Sequence, residues 1–371
     1  MESFFGNRKI TIYASGTAAL SRAIAECATR SQATVPEVIL PAYGCPDLVA
    51  ACRHASVFPR LVDVSSDLWG YDHEELERWT TKNTIAIVTV NLLGIGDDAM
   101  DRSSFCRSRG VALIQDSAQH LPRTVTEWPG DYVVLSFGRG KPLNLLHGGA
   151  LVATTTYDGA LPAAVNRFAL RDRLLASRFA ATAFNWLTRP GLYGILSVLP
   201  GTGLGAVVYK PLADAHPLGN RAERRVDAAF DQYRREQSYR RGLWAPVLDD
   251  WRRWGIAELR SRNPEPEPEP LRLALLAPDE RNREALVREL VHAGLGASRF
   301  YGAALPEIRG VPEAVRLQGP FPNATRLAAR LLTLPTHALV TADSVRAAHE
   351  IVRQWHRRRK TTWPTTSIRT S

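Results

Sequence analysis

Four short stretches of this sequence put reactive side chains where they can do chemistry. In Ile114-Gln115-Asp116-Ser117-Ala118-Gln119-His120, Asp116 closes an apolar run. Ligands of open α/β sheets gather at the carboxyl ends of strands, so a carboxylate there can pair with a cationic ligand group. It can equally cap the N-terminus of a helix, where aspartate is favoured. Lys141 ends Ser136-Phe137-Gly138-Arg139-Gly140-Lys141, 25 residues after Asp116, and is the one lysine between Lys82 and Lys210. A lysine just past a buried strand loses part of its solvation and becomes a usable amine nucleophile, although a loop lysine is commonly only a solvated charge. Ser136 offers a hydroxyl to a phosphate. Ser15-Gly16-Thr17-Ala18-Ala19-Leu20 reads as a turn opening a helix, where backbone N–H groups attract an anion; the same pattern serves as a plain N-cap. In His147-Gly148-Gly149-Ala150 the paired glycines permit close backbone approach or a positive φ, or mark an ordinary turn before a strand.

The elements that must position these residues follow from hydrophobic patterning. Residues 16–28 and 46–54 read as helices. Residues 38–40, 58–64, 85–90, 111–115, 132–137 and 150–154 read as strands. The runs Ile85 to Val90 and Val111 to Gln115 are continuous and rich in β-branched residues, as in strands covered on both faces of a parallel sheet. Strands alternating with helices predict an α/β sandwich. Residues 156–215 are apolar, helical in character and broken by Pro and Gly; residues 221–251 read as one long charged amphipathic helix. The repeat Pro264-Glu265-Pro266-Glu267-Pro268-Glu269-Pro270 is an extended, stiff stretch leading into a C-terminal unit. There, residues 271–276 and 332–335 read as strands, and 279–293 and 341–357 as helices.

Bulk composition narrows the function classes. The chain has 371 residues, long enough for one large domain and a smaller one. Cys27, Cys45, Cys52 and Cys106 form no CxxC pair, which argues against a disulfide framework or zinc site and suits a reducing cytosol. The N-terminus reads as no signal peptide, and no clean run of about 18 apolar residues predicts a membrane span. A net charge of +10, partly in Arg357-Arg358-Arg359-Lys360, is compatible with an anionic partner or with a solvated helix face and tail. Without a nucleic-acid motif or interleaved aromatic and basic residues, nucleic-acid binding is not expected.

Taken in order, SGTAAL, ILPAYGCPDLVAA, VDV, VNLLG, QDSAQH, SFGRGK and HGGALV resemble the DegT/DnrJ/EryC1/StrS family, the sugar-aminotransferase branch of the fold type I PLP-dependent enzymes. The C-terminal FPNATRLAARLLTLPTH is similar to that family's small domain. The resemblance implies a three-layer α/β/α large domain over residues 1–240 with a mostly parallel sheet, an apolar helical insert at 156–215, and a small α+β domain over 241–371 with a basic tail. It implies pyridoxal 5'-phosphate (PLP/PMP) as cofactor. Lys141 would form the Schiff base and carry the proton. Asp116 would pair with the pyridine nitrogen, and Gln119 would sit near the ring's 3-hydroxyl. Gly16, Thr17, Ala18 and Ser136 would bind the phosphate. Asn220 would reach the cofactor phosphate of a partner subunit, in a homodimer with shared active sites. Where relatives often stack an aromatic on the ring, this sequence has Cys45, with Tyr43 two residues earlier, so Cys45, Tyr43 or another residue flanks the ring. His120 and His147 are candidates for substrate contact or structural histidines.

The implied function is a cytoplasmic aminotransferase that moves an amino group, from glutamate in this family, to a keto group of a nucleotide-linked sugar or similar metabolite. Two alternatives stand beside it. One is a catalytically inactive or regulatory protein on the PLP fold; the other is a transaminase for a non-sugar keto substrate.

Overall fold

A computed structural model describes residues 8–66, 68–121, 128–153, 207–217, 226, 229–231, 233, 242–262 and 270–361. Seven strands form the main sheet: β1 (Lys9–Tyr13), β2 (Glu37–Pro41), β3 (Phe58–Val62), β4 (Thr84–Val90), β5 (Ala112–Asp116), β6 (Tyr132–Ser136) and β7 (Gly149–Ala153). Their spatial order is β1-β7-β6-β5-β4-β2-β3. The pairs from β3 through β6 are parallel, and β7 is antiparallel to both of its neighbours. As a result β1, β2, β4, β5 and β6 all end on one edge of the sheet, and β7 begins there.

Side-chain alternation explains the layers. Val38 and Leu40 enter one apolar cluster, and Ile39 between them enters another; Ala86, Val88 and Val90 alternate in the same way with Ile87. Successive strand residues face opposite sides, so a sheet apolar at every position must be covered twice. Helices α1 (Gly16–Arg30) and α2 (Asp47–His54) cover the first face through Ala19, Ala23, Ile24, Leu48 and Cys52. Helices α3 (His73–Trp79) and α4 (Ala99–Arg109) cover the second through Leu76 and Cys106. Beside them, Val226, Phe230 and Tyr233 pack on Ile12, Val133, Leu135 and Val152. The fold is the α/β sandwich expected from the sequence, with a mainly parallel sheet.

One expectation needs correction. The helix read over 221–251 is interrupted at Leu243 and Trp244, and α5 (Ala245–Arg253) starts afresh with Pro246 in its first turn. Proline lacks an N–H and clashes with the preceding turn, so it fits at a helix start and not within one. Strand β1 adds a short element that was not read from the sequence, five residues in which a single threonine, Thr11, separates Ile10 from Ile12. The apolar insert lies largely, and the proline-glutamate repeat almost wholly, outside the described residues.

The C-terminal part builds a second, antiparallel sheet, ordered β10-β9-β8, from β8 (Ala257–Glu258), β9 (Arg272–Leu276) and β10 (Leu331–Pro335). Around it lie α6 (Glu280–His292), α7 (Glu313–Arg316), α8 (Pro322–Arg330) and α9 (Ala342–Thr361). Trp244, Trp251, Leu286, Leu290, Val345 and Trp355 make a separate apolar cluster there. Buried polar contacts fasten this part to the main sheet. Asp63, just past β3, accepts from Val64 N–H at 2.9 Å, Asn323 N–H at 2.9 Å and Ala324 N–H at 2.8 Å. A carboxylate from one end of the chain therefore supplies the cap that α8 lacks locally, satisfying N–H groups with no intrahelical partner. Gln318 adds a two-way bridge, accepting from Leu61 N–H and donating to Pro59 C=O.

Asp63→Ala leaves those buried N–H groups unpaired. It is expected to lower unfolding stability by about 2–3 kcal/mol, read as an earlier midpoint in urea; an unchanged midpoint contradicts this role.

Candidate functional site

Along the edge where the strands end, one cleft gathers residues far apart in sequence. Gly16, Thr17, Cys45, Asp47, Asn91, Asp116, Gln119, Ser136, Lys141 and Tyr301 are among its walls, around about 510 Å³ of empty space that opens to solvent. It lies at the carboxyl ends of β2, β4, β5 and β6, where sheets of this type place their ligands.

The anion end is built by helix α1. Ser15 is its N-cap and accepts from Ala18 N–H at 3.1 Å. That uses the Ala18 donor, and Ala18 is fully buried off the cleft wall. The N–H groups of Gly16 and Thr17 remain at the start of the helix, where backbone donors and the helix dipole favour negative charge. Two glycines permit this placement. A Cβ on Gly149 would stand 2.4 Å from Gly16 N and 2.6 Å from Leu135 O, and a Cβ on Gly16 would stand 2.8 Å from Ser136 Cβ. No side chain fits either gap, so the first turn of α1 rests directly on the ends of β6 and β7. Ser136 lines the cleft beside it and accepts from Gly138 N–H at 3.4 Å.

The opposite requirement is met at Asp116. Its carboxylate is 9% exposed and accepts from Ala118 N–H at 2.9 Å, with no other hydrogen bond from the described residues. Burial pushes its pKa up; the Ala118 hydrogen bond and the charge of Lys141 pull it partly back, and Asp47 adds to the rise. Lys141 follows the turn Gly138-Arg139-Gly140, in which Gly140 has φ +68° and Lys141 N–H donates to Gly138 C=O at 3.3 Å. The cleft thus combines an amine, a buried carboxylate short of partners and a ready anion cup.

Gln119 is held at both ends, with Oε1 accepting from Leu93 N–H at 2.9 Å and Nε2 donating to Tyr301 OH at 2.7 Å. Cys45 lies on the cleft wall, its thiol pushed up to about 12, chiefly by burial; it is neutral and a poor nucleophile. Tyr43 is fully buried behind the wall, its ring 5.5 Å from that of Tyr301 and 6.4 Å from that of Trp69. His120 and His147 are not on the wall; His147 is exposed, its Nδ1 3.3 Å from Leu145 O. Asn220 lies outside the described residues.

Three polar wall residues carried no role in the sequence reading: Asn91, Asp47 and Tyr301. Asn91 follows β4 and donates to Ser117 Oγ at 2.7 Å; the strand-end rule applied to Asp116 also points to it. Asp47, the first residue of α2, accepts from Thr17 Oγ1 at 3.1 Å. Tyr301 had no local signal, since it arrives from the C-terminal part by tertiary packing.

Comparison with known proteins agrees with this construction. Residues 1–171 match the model of the DegT/DnrJ/EryC1/StrS aminotransferase family, which bears out the resemblance carried by the motifs. Protein MosB of Rhizobium meliloti is 29% identical over 119 residues, 32% of this chain; that stretch spans only 23% of MosB. Among solved structures, a sugar aminotransferase, Spr1654 from Streptococcus pneumoniae, superposes with TM-score 0.67 at 18% identity, over 95% of this chain and 88% of that one. The structure of 3-amino-5-hydroxybenzoic acid synthase gives 0.67 at 19% identity, over 94% and 86%. A DegT/DnrJ/EryC1/StrS aminotransferase from Brucella abortus gives 0.68 at 17% identity, over 96% and 88%. The fold is that of the PLP-dependent aminotransferases.

The raised pKa of Asp116 makes a prediction for the cofactor-free protein. A carboxyl whose folded pKa lies above its unfolded value adds stability at low pH, and that stability is lost as pH rises through the folded pKa. Asp116→Asn removes the titration while keeping an acceptor for Ala118 N–H. The variant is expected to melt at or above the wild type at about pH 8, its advantage shrinking toward about pH 4. Equal destabilisation at both pH values contradicts the assignment.

Proposed function

We propose that this chain is a PLP-dependent aminotransferase moving an amino group, from glutamate in our reading, to a keto group of a nucleotide-linked sugar or similar metabolite. The observation that carries the reading is the convergence of Asp116, Lys141 and the first turn of α1 on one cleft.

The residues present fit the cofactor. A buried carboxylate with a raised pKa and one hydrogen-bond donor suits a protonated ring nitrogen, which would supply the missing opposite charge. The gap that excludes a Cβ at Gly149 and Gly16 leaves the Gly16 and Thr17 N–H groups and the Ser136 hydroxyl to hold a phosphate. Lys141 supplies the amine on the same wall. When bound, PLP supplies an electron sink for the bond broken at the amino donor's α-carbon.

The chain's own residues do the rest. Lys141 Nζ would take the proton from the donor's α-carbon as a base and give it up again as an acid within the same half-reaction, and would work in reverse order with the keto acceptor. Asp116, itself buried, would keep the ring nitrogen protonated by charge pairing. Gln119 gives one Nε2 proton to Tyr301 and would give the other to the ring's 3-oxygen. Cys45, on the cleft wall and neutral, would flank the ring in place of an aromatic side chain. We place the enzyme in the cytoplasm as a homodimer with shared sites, with residues 1–240 as its large domain and 241–371 as its small one.

Protein purified with PLP is expected to show a visible absorption band that Lys141→Ala removes. The same substitution should lower transamination by at least about 1000-fold. A wild-type protein without any Lys141-dependent band contradicts the reading. Mixing the PMP-loaded enzyme with candidate keto acceptors, and following the return of the band, identifies the acceptor.

A further inference from the structure

Tyr301 lies between α6 and the short 3-10 turn Leu305–Glu307, yet it lines the cleft built by the main sheet. Its hydroxyl accepts from Gln119 Nε2 at 2.7 Å, while Gln119 Oε1 accepts from Leu93 N–H at 2.9 Å. The Leu93 donor decides which end of the amide is oxygen, so the orientation of Gln119 is set by its partners. An amide nitrogen has two protons, and Tyr301 takes one of them. The other is left for whatever occupies the cleft.

The segment around Tyr301 is built to hold it in place. Ser298 and Thr333 exchange backbone hydrogen bonds at 3.0 and 2.8 Å, and Phe300 N–H donates to Ser298 Oγ at 2.9 Å. Phe300 sits at φ +62°, left-handed backbone that a bulky residue adopts only where its surroundings impose it. On the far side, Leu305 N–H donates to Ala42 C=O at 2.7 Å, at the end of β2. The Tyr301 ring packs 4.2 Å from Phe300 and 5.5 Å from Tyr43. A strained, doubly anchored loop from the C-terminal part therefore delivers one hydroxyl to one amide in the cleft.

We propose that Tyr301 is a positioning residue: by holding Gln119 Nε2 it fixes the amide so that its second proton is donated to the cofactor's ring oxygen. This couples the placement of the C-terminal sheet to the electronic state of the cofactor, and it rests on the reading that the cleft takes PLP. Burial, together with the nearby Cys45, Tyr43 and Asp116, pushes the phenol well above its ordinary range. It stays protonated at working pH and does not itself titrate there. The other titratable groups on the wall are Lys141, Asp116, Asp47 and Cys45, and all four stay in place in Tyr301→Phe.

The test is a pH titration of the Lys141-dependent absorption band in PLP-loaded wild type, Tyr301→Phe, Gln119→Leu and the double variant, with thermal melts alongside. A hydrogen bond donated to the ring oxygen stabilises its negative charge and lowers the midpoint. Tyr301→Phe is therefore expected to raise it by about half a unit to one unit. Gln119→Leu should raise it at least as far, and the double variant no further than Gln119→Leu, because both act through one contact. A midpoint unmoved or lowered in Tyr301→Phe, even with a lower melting temperature, overturns the proposal and leaves Tyr301 as packing. Additive shifts in the double variant overturn it as well. If Tyr301→Phe does not fold, Tyr301→Met, which also removes the hydroxyl, takes its place: an unmoved midpoint overturns the coupling and a raised one upholds it. Absence of the band in wild type overturns the cofactor reading first, and this inference with it.

Discussion

The site depends on one close approach of backbone to backbone, between the first turn of α1 and the ends of β6 and β7. Gly16 and Gly149 meet where a Cβ would fall 2.4 Å from a main-chain nitrogen. That contact brings the start of α1 beside Ser136 and onto the same edge as Asp116. Had α1 stood off by the width of a methyl group, its first turn would not border the cleft that Ser136 and Asp116 share. The antiparallel turn of β7 is part of the same constraint. Because β7 runs against its neighbours, its first residue, and not its last, lies at the edge where β5 and β6 end.

Electrostatics then divides the cleft into two ends. The helix start and Ser136 offer donors, while Asp116 offers charge that burial disfavours. A group that is anionic at one end and cationic at the other relieves both, so the empty protein carries a cost that a suitable ligand removes. Lys141 contributes to this balance, since its charge is among the terms that pull the Asp116 pKa back. Asp47 opposes it by raising that pKa, and it also accepts from the Thr17 hydroxyl, which engages that proton.

The parts legible in the sequence were those whose cause is local. The continuous apolar runs of β4 and β5 announced a sheet covered on both faces, and the strand-end position of Asp116 followed from them. The turn at Ser15 and Gly16 and the glycines before β7 were visible as types, though not as partners in one contact; that needed the sheet order. The expected helix over 221–251 failed because a charged, periodic pattern outweighed Pro246, whose backbone chemistry sets a helix start. Ala18 was expected in the anion cup, but its N–H is spent on Ser15, a choice between two acceptors that motif matching does not resolve.

What sequence patterning could not supply is the long-range part of the site. Asp63 caps a helix 260 positions further on, and Tyr301 reaches Gln119 across 182 positions. Neither side chain is unusual for its own neighbourhood; each acquires meaning from the partner that folding brings to it. These two contacts also share a consequence. Asp63 holds the start of α8, which runs directly into β10, and the Ser298–Thr333 pair then sets the loop that carries Tyr301. The anchoring of the C-terminal sheet and the orientation of an amide in the cleft are therefore successive links of one chain of hydrogen bonds.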